Sequence, residues 1–134
     1  MKVVVDTNVF LSGVYFAGPP YEILDAWRHG KIEIVISAAI LAEYQTAAER
    51  LSARYPAVDF ATWIELVAMK ATVVPAPNLP QKVCTDPDDD KFLACAVASG
   101  TKIIASGDKA LLRASGYSGV EVIKPRHFLD KYLK

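Results

Sequence analysis

Carboxylates stand at four separated places in this chain. Asp6 closes the run Lys2-Val3-Val4-Val5, Glu43 lies in Ile40-Leu41-Ala42-Glu43-Tyr44, Asp86, Asp88, Asp89 and Asp90 gather around Pro87, and Asp108 follows Ser106-Gly107. Hard oxygen donors with no histidine or cysteine motif beside them suit Mg²⁺ or Mn²⁺, which keep room for water and phosphate oxygens. Such an ion acidifies a water, orients it toward phosphorus and neutralises the leaving oxygen. The chemistry to expect, if the four segments meet, is metal-assisted hydrolysis of a phosphate ester.

Composition narrows what scaffold could bring them together. The chain has 134 residues, 52% of them hydrophobic, with 15 Lys+Arg against 15 Asp+Glu. That length predicts one domain over residues 1–134, and so apolar and balanced a chain is neither a disordered tail nor a basic nucleic-acid sleeve. Two cysteines and two histidines are too few for a disulfide scaffold or a zinc site, which fits a reducing compartment. The apolar start is too short for a signal peptide and no segment approaches the roughly 20 apolar residues of a membrane span. The expectation is a cytoplasmic protein with no membrane contact.

Short β-branched runs alternate with longer stretches of helical period, the pattern of parallel strands joined by crossover helices. Strands are predicted at Lys2 to Val5, Ile32 to Ile36, Thr72 to Val74, Lys102 to Ala105 and Val120 to Ile123. Val3-Val4-Val5 and Ile34-Val35-Ile36 do not alternate with polar residues, so both faces should be covered. The fold class is therefore α/β, a three-layer α/β/α sandwich around a central parallel sheet of about five strands. Helices are expected from Pro20 to Gly30, after Ser37, from Phe60 to Met69 and from Asp86-Pro87 to Ser99-Gly100, with short ones after Asp108 and Pro125. Pro75 to Pro80 reads as an extended connector. Ser12 to Gly18, two aromatics between glycines, reads as a flap or a packed turn.

In an open parallel sheet, ligands bind where the strands' carboxyl ends emerge. Asp6 and Asp108 follow predicted strands onto that edge. The helix from Asp86 feeds a strand, so its start opens there too, and Glu43 is less than two turns into a helix leaving it. At about 100° per residue, Asp89 falls within about 10° of the stripe Phe92, Leu93, Ala96 and Val97, while Asp88 and Asp90 lie roughly 90° or more away. Asp89 should point inward, where a lone carboxylate needs a donor or a cation. Glu43 lies about 95° from its own stripe, on the core–solvent boundary. Each acid also has a simpler reading as a turn residue, a helix cap or a solvated side chain. All four simpler readings must hold together to remove the cluster.

The segments Val5-Asp6-Thr7-Asn8-Val9, Ile40 to Tyr44, Asp86-Pro87-Asp88-Asp89-Asp90-Lys91-Phe92-Leu93 and Ser106-Gly107-Asp108-Lys109-Ala110-Leu111, in that order, resemble the PIN-domain ribonucleases. The branch they resemble is the one of toxin components of toxin–antitoxin systems. The resemblance spans essentially the whole chain and implies a PIN-like fold and a ribonuclease dependent on Mg²⁺ or Mn²⁺. It implies acidic site residues at Asp6, Glu43, Asp89 and Asp108, a polar helper at Asn8 or Ser106, and an outer role for Asp86. Inner metal ligands would be Asp6, Asp89 and Asp108, with Glu43 holding a second ion or orienting water. RNA would be the substrate, a cognate antitoxin a partner, and the apolar helices admit a homodimer. Zero net charge departs from the basic surface of a strong RNA binder.

Lys91, Lys109 and Arg113 are candidates to touch phosphate near the rim, Arg50 and Arg54 extend the face after Ser37, and Tyr15 and Phe16 are candidates to stack on bases. A haloacid-dehalogenase-type site would need a second Asp where Asn8 stands, and a receiver domain an acidic pair where Val3 to Val5 stand. No dinucleotide or phosphate-loop glycine motif is present. The rival of another class is a catalytically silent PIN-like module that binds RNA or a protein.

Overall fold

A computed structural model describes residues 1–134. Five strands form one sheet, β1 (Lys2–Val5), β2 (Glu33–Ile36), β3 (Thr72–Val73), β4 (Ile103–Ala105) and β5 (Glu121–Ile123). Their order is β3-β2-β1-β4-β5 and every pairing is parallel, Lys2 opposite Glu33, Val4 opposite Ile104, Val35 opposite Thr72 and Ile104 opposite Val122. Helices cover both faces, so the expected three-layer α/β/α sandwich is what the chain forms. Val3, Val4 and Val5 are fully buried, the burial that their unbroken apolar run requires.

The helices are α1 (Thr7–Tyr15), α2 (Pro19–Arg28), α3 (Ala38–Ser52), α4 (Phe60–Lys70), α5 (Asp90–Ser99), α6 (Lys109–Arg113) and α7 (Pro125–Phe128). Ser37 caps α3 through Ile40 N–H at 3.3 Å, and Gly100 ends α5 at φ 68°, a left-handed conformation that costs glycine least. Three details depart from the sequence reading. Thr7 to Tyr15 is helical where a flap or turn was expected after Ser12. Its residues are mediocre helix formers, so tertiary packing decides. Gly13 touches α2 so closely that a Cβ there would lie 2.6 Å from Leu24 Cδ1. Pro87–Asp89 form a separate 3₁₀ turn before α5 begins at Asp90. Val97, assigned to an apolar stripe, and Met69, the apolar end of its predicted helix, are 43% and 86% exposed.

Strand order positions the site. The chain leaves β1 toward β2 and β3, then crosses back to place β4 on β1's other side. The crevice at such a reversal, outside the carboxyl ends of β1 and β4, is where doubly wound sheets bind ligands. No helix is long and apolar enough to cross a membrane.

Candidate active site

The sheet's own hydrogen bonds continue one residue past the strands. Asp6 N–H donates to Ala105 C=O at 3.1 Å and Ser106 N–H to Ile123 C=O at 3.0 Å, so Asp6 and Ser106 sit side by side on the carboxyl edge. Both are buried, Asp6 at 3% and Ser106 at 0% exposure. The Ser106 hydroxyl donates to Asp6 Oδ2 and accepts from Asp108 N–H at 2.9 Å. One hydroxyl therefore ties the end of β1 to the start of α6.

The simpler readings of the acids are in part correct. Asp6 Oδ1 caps α1 through Val9 N–H at 2.8 Å, Asp108 Oδ2 caps α6 through Leu111 N–H at 3.0 Å, and Asp86 Oδ1 takes Asp88 N–H at 3.0 Å. Capping accounts for one oxygen of each, and the second oxygen of Asp6 takes the Ser106 hydroxyl. Capping also explains how like charges are tolerated together, because helix starts favour negative charge. Asp86 and Asp88 are exposed, whereas Asp89 is half-buried and its Oδ2 is sealed from solvent with no donor in reach. The inward direction expected for Asp89 is therefore found, although the 3₁₀ turn rather than an α-helix produces it.

Asp90 explains why that turn is held. Its carboxylate takes Val83 N–H at 3.0 Å and Cys84 N–H at 2.8 Å, tying the proline-rich connector to the first turn of α5.

Glu43 reaches the rim by a different route. Tyr44, fully buried and stacked on Phe10 with ring centroids 4.4 Å apart, donates its hydroxyl to Val5 C=O. This pins α3 to the last residue of β1 and brings its neighbour Glu43 against Thr7, whose hydroxyl donates to Glu43 Oε2, while the Lys91 ammonium bonds Oε1. Lys91, expected to meet phosphate, is thus engaged by Glu43. Thr7 is a site-forming residue that spacing does not single out; its place directly after the strand-end Asp6 is the signal that could have found it.

The charge states follow from burial and neighbours. Burial, followed by Asp108 as hydrogen-bond partner and as negative neighbour, then Asp86 and Asp6, pushes Asp89 from 3.8 to about 7. The Asp108 carboxyl is held low, first by its hydrogen-bonding neighbour Asp89 and further by the backbone N–H of Leu111. Asp6 is raised by burial, against the lowering effect of Ser106 and Val9 N–H, with Asp108 and Glu43 adding repulsion. The acids are close enough to feel one another, yet no three of them close around a common point. Carboxylates repel, and the Ser106 hydroxyl is the donor placed against Asp6. As a donor set, hard oxygens with one sealed, partnerless acceptor fit a divalent cation of the Mg²⁺ type in kind.

Asn8 and Lys109 are exposed on the same edge. With Val9, Ser12, Pro20, Gly107, Asp108 and Pro125 they line a groove of about 550 Å³. Arg113 donates to Thr85 at 3.3 Å. Tyr15 packs edge-on against Phe60 at 4.5 Å and Phe16 is 64% exposed; both lie at the far end of α1, about 13 Å along the helix from Asp6. They are not gathered with the acids, and neither are Arg50 and Arg54, exposed at the distal end of α3.

Comparison with known proteins agrees with this architecture. The family model described as PIN domain matches residues 2–110. An uncharacterised protein of Methanocaldococcus jannaschii is 30% identical over 145 residues, covering 100% of this chain and 93% of that protein. Among solved structures, the PIN domain endonuclease Utp24 superposes with a TM-score of 0.52 at 21% identity, covering 90% of this chain and 82% of its own. FitAcB from Neisseria gonorrhoeae gives 0.55 at 17% identity, with 93% and 99% covered. The T. brucei RRP44 PIN domain gives 0.51 at 17%, with 98% and 80% covered. At these identities the structural matches speak for the fold.

Proposed function

The chain belongs to the PIN domain family, whose members are typically nucleases, and from that premise we propose that it is a Mg²⁺- or Mn²⁺-dependent endoribonuclease acting as the toxin of a toxin–antitoxin pair. The observation that carries the catalytic part is Asp89 Oδ2, a buried oxygen without a donor, beside Asp108 and Asp6. A sealed acceptor of this kind is costly unless a cation or proton meets it.

In this reading Asp6, Asp89 and Asp108 would hold the ion. When bound, it supplies Lewis acidity, lowering the pKa of water and countering charge on a phosphodiester. Ser106 keeps Asp6 Oδ2 directed at the rim and sets the Asp108 backbone. Asp89, raised to about 7 by burial and Asp108, would have to be deprotonated to serve as a ligand. Glu43, steered by Thr7 and balanced by Lys91, orients water or a second ion. Asp86 steadies the turn from outside, and Asn8 and Lys109 face the substrate. The toxin role draws on the resemblance of the four motifs, and an antitoxin segment covering the rim would be its natural restraint.

The test is incubation of the purified chain with a mixed RNA pool and Mn²⁺, beside Asp6→Asn. Fragments formed by the unaltered chain and lost in the variant or in chelator are expected. No cleavage with any divalent ion would instead leave a silent binding module.

A further inference from the structure

The groove beside Asp108 holds three polar ends that the protein does not use. Hydrogen bonding on this edge runs through Asp6, Ser106 and Asp108, and the Asn8 amide, the Ser12 hydroxyl and the Lys109 ammonium take no part in it or in any ion pair. Asn8 and Ser12 are one turn apart on α1, i and i+4, so they share a face. Lys109 faces them from the start of α6 across Gly107, which leaves the backbone there bare. Val9 and two prolines supply the apolar wall, and no aromatic residue lines the groove.

Those contents select among ligands. Without an aromatic there is no platform for base stacking, the usual grip on single strands. An amide and a hydroxyl, each both donor and acceptor, match a ligand hydroxyl that is also both, and the ribose 2′-hydroxyl is such a group. An unpaired ammonium matches a phosphate. About 550 Å³ is within the roughly 300–1,000 Å³ typical of small-ligand clefts, room for one nucleotide rather than a helix. Asp108 belongs both to this wall and to the acidic rim.

We propose that this groove seats the sugar and phosphate of the nucleotide next to the cleaved linkage in single-stranded RNA, with Asn8 and Ser12 meeting the 2′-hydroxyl and Lys109 the phosphate. The proposal rests on the nuclease reading and adds to it the means of choosing RNA over DNA. Because the contacts are to the backbone, the preference is for sugar and not for base.

Binding can be measured without turnover in an Asp89→Asn background, using fluorescent eight-nucleotide RNA and DNA of one sequence with Mn²⁺ at several salt concentrations. The added pair Asn8→Ala and Ser12→Ala should weaken RNA binding about tenfold, the worth of lost hydrogen bonds, and leave DNA binding and the melting temperature unchanged. Adding Lys109→Gln instead should weaken both strands alike and reduce the salt slope by about 0.7. An RNA-to-DNA ratio that survives the double substitution, while RNA is still bound and the unaltered chain still cuts, overturns the groove assignment alone. A chain that binds neither strand and cuts nothing overturns the nuclease reading and the groove with it.

Discussion

Asp89 is an acid whose proton is set by its surroundings. With burial and then Asp108 raising it from 3.8 to about 7, the folded chain holds a proton that the unfolded chain has released across that interval. Stability of the ion-free protein therefore falls as pH rises from about 4 to about 7. Asp6, also raised by burial, contributes with the same sign. Melting in chelator should show this decline and Asp89→Asn should flatten it; a wild-type midpoint constant from pH 4 to 8 would contradict the assignment. The same proton competes with a cation, so Mn²⁺ affinity should rise through pH 7. Ser106 gives a second residue-scale prediction. Ser106→Ala takes a donor from Asp6 Oδ2 and the acceptor from Asp108 N–H, a loss of about 1.5–3 kcal/mol in a buried, charged setting. Mn²⁺ affinity should fall about 10–100-fold, as for other supports of metal ligands. Calorimetric titration and thermal melting check both, and a variant with native affinity would mean that Asp6 needs no such support.

Among the elements, what was legible in the sequence followed local rules. The strands were, because two-sided burial writes itself as unbroken runs such as Ile34-Val35-Ile36. The α3 start was, because Ser37 followed by an apolar stripe is a local signal. Helix α1 was not: Thr7-Asn8-Val9 and Gly13-Val14-Tyr15 argue against a helix on propensity, and the packing of Gly13 on Leu24 of the next helix, which overrides them, is a tertiary contact that local propensity does not register. The acids' shared edge was legible from the rule that strand carboxyl ends emerge together; the inward side of Asp89 was anticipated from an α-helical phase that the 3₁₀ turn does not follow. The Glu43–Lys91 pair, 48 residues apart, and the Tyr44 hydroxyl on Val5, 39 apart, were not, because pairing across the fold leaves no local trace. Asp90, roughly 90° or more from the stripe by phase, anchors the connector to α5. Asp90→Ala should strand the Val83 and Cys84 N–H groups, costing about 2 kcal/mol, and free the 3₁₀ turn that aims Asp89. Protection of the amides around 83–89 in hydrogen exchange should drop while that of the central strands persists; uniform protection would show that the connector is held by its prolines alone.

For the molecule as a whole, the balance of 15 acidic and 15 basic residues conceals a local excess of negative charge at one edge. Three helix starts and the raised pKa of Asp89 offset that repulsion in the ion-free protein, and a cation would do so more completely. Anything that binds the folded chain and not the unfolded one stabilises it by mass action, by about 2.7 kcal/mol at a hundred times its dissociation constant. For a domain of this size that is roughly 10 °C in melting temperature. Mn²⁺ or Mg²⁺ should therefore raise the midpoint by this order, more at pH 8 than at pH 6 because Asp89 surrenders its proton between them. Asp6→Asn and Asp108→Asn should each erase most of the rise, whereas Asp88→Asn, at an exposed carboxylate, should preserve it. Equal shifts in all three variants would mean that the ion binds elsewhere, and no shift in the unaltered chain would remove the cation from the mechanism.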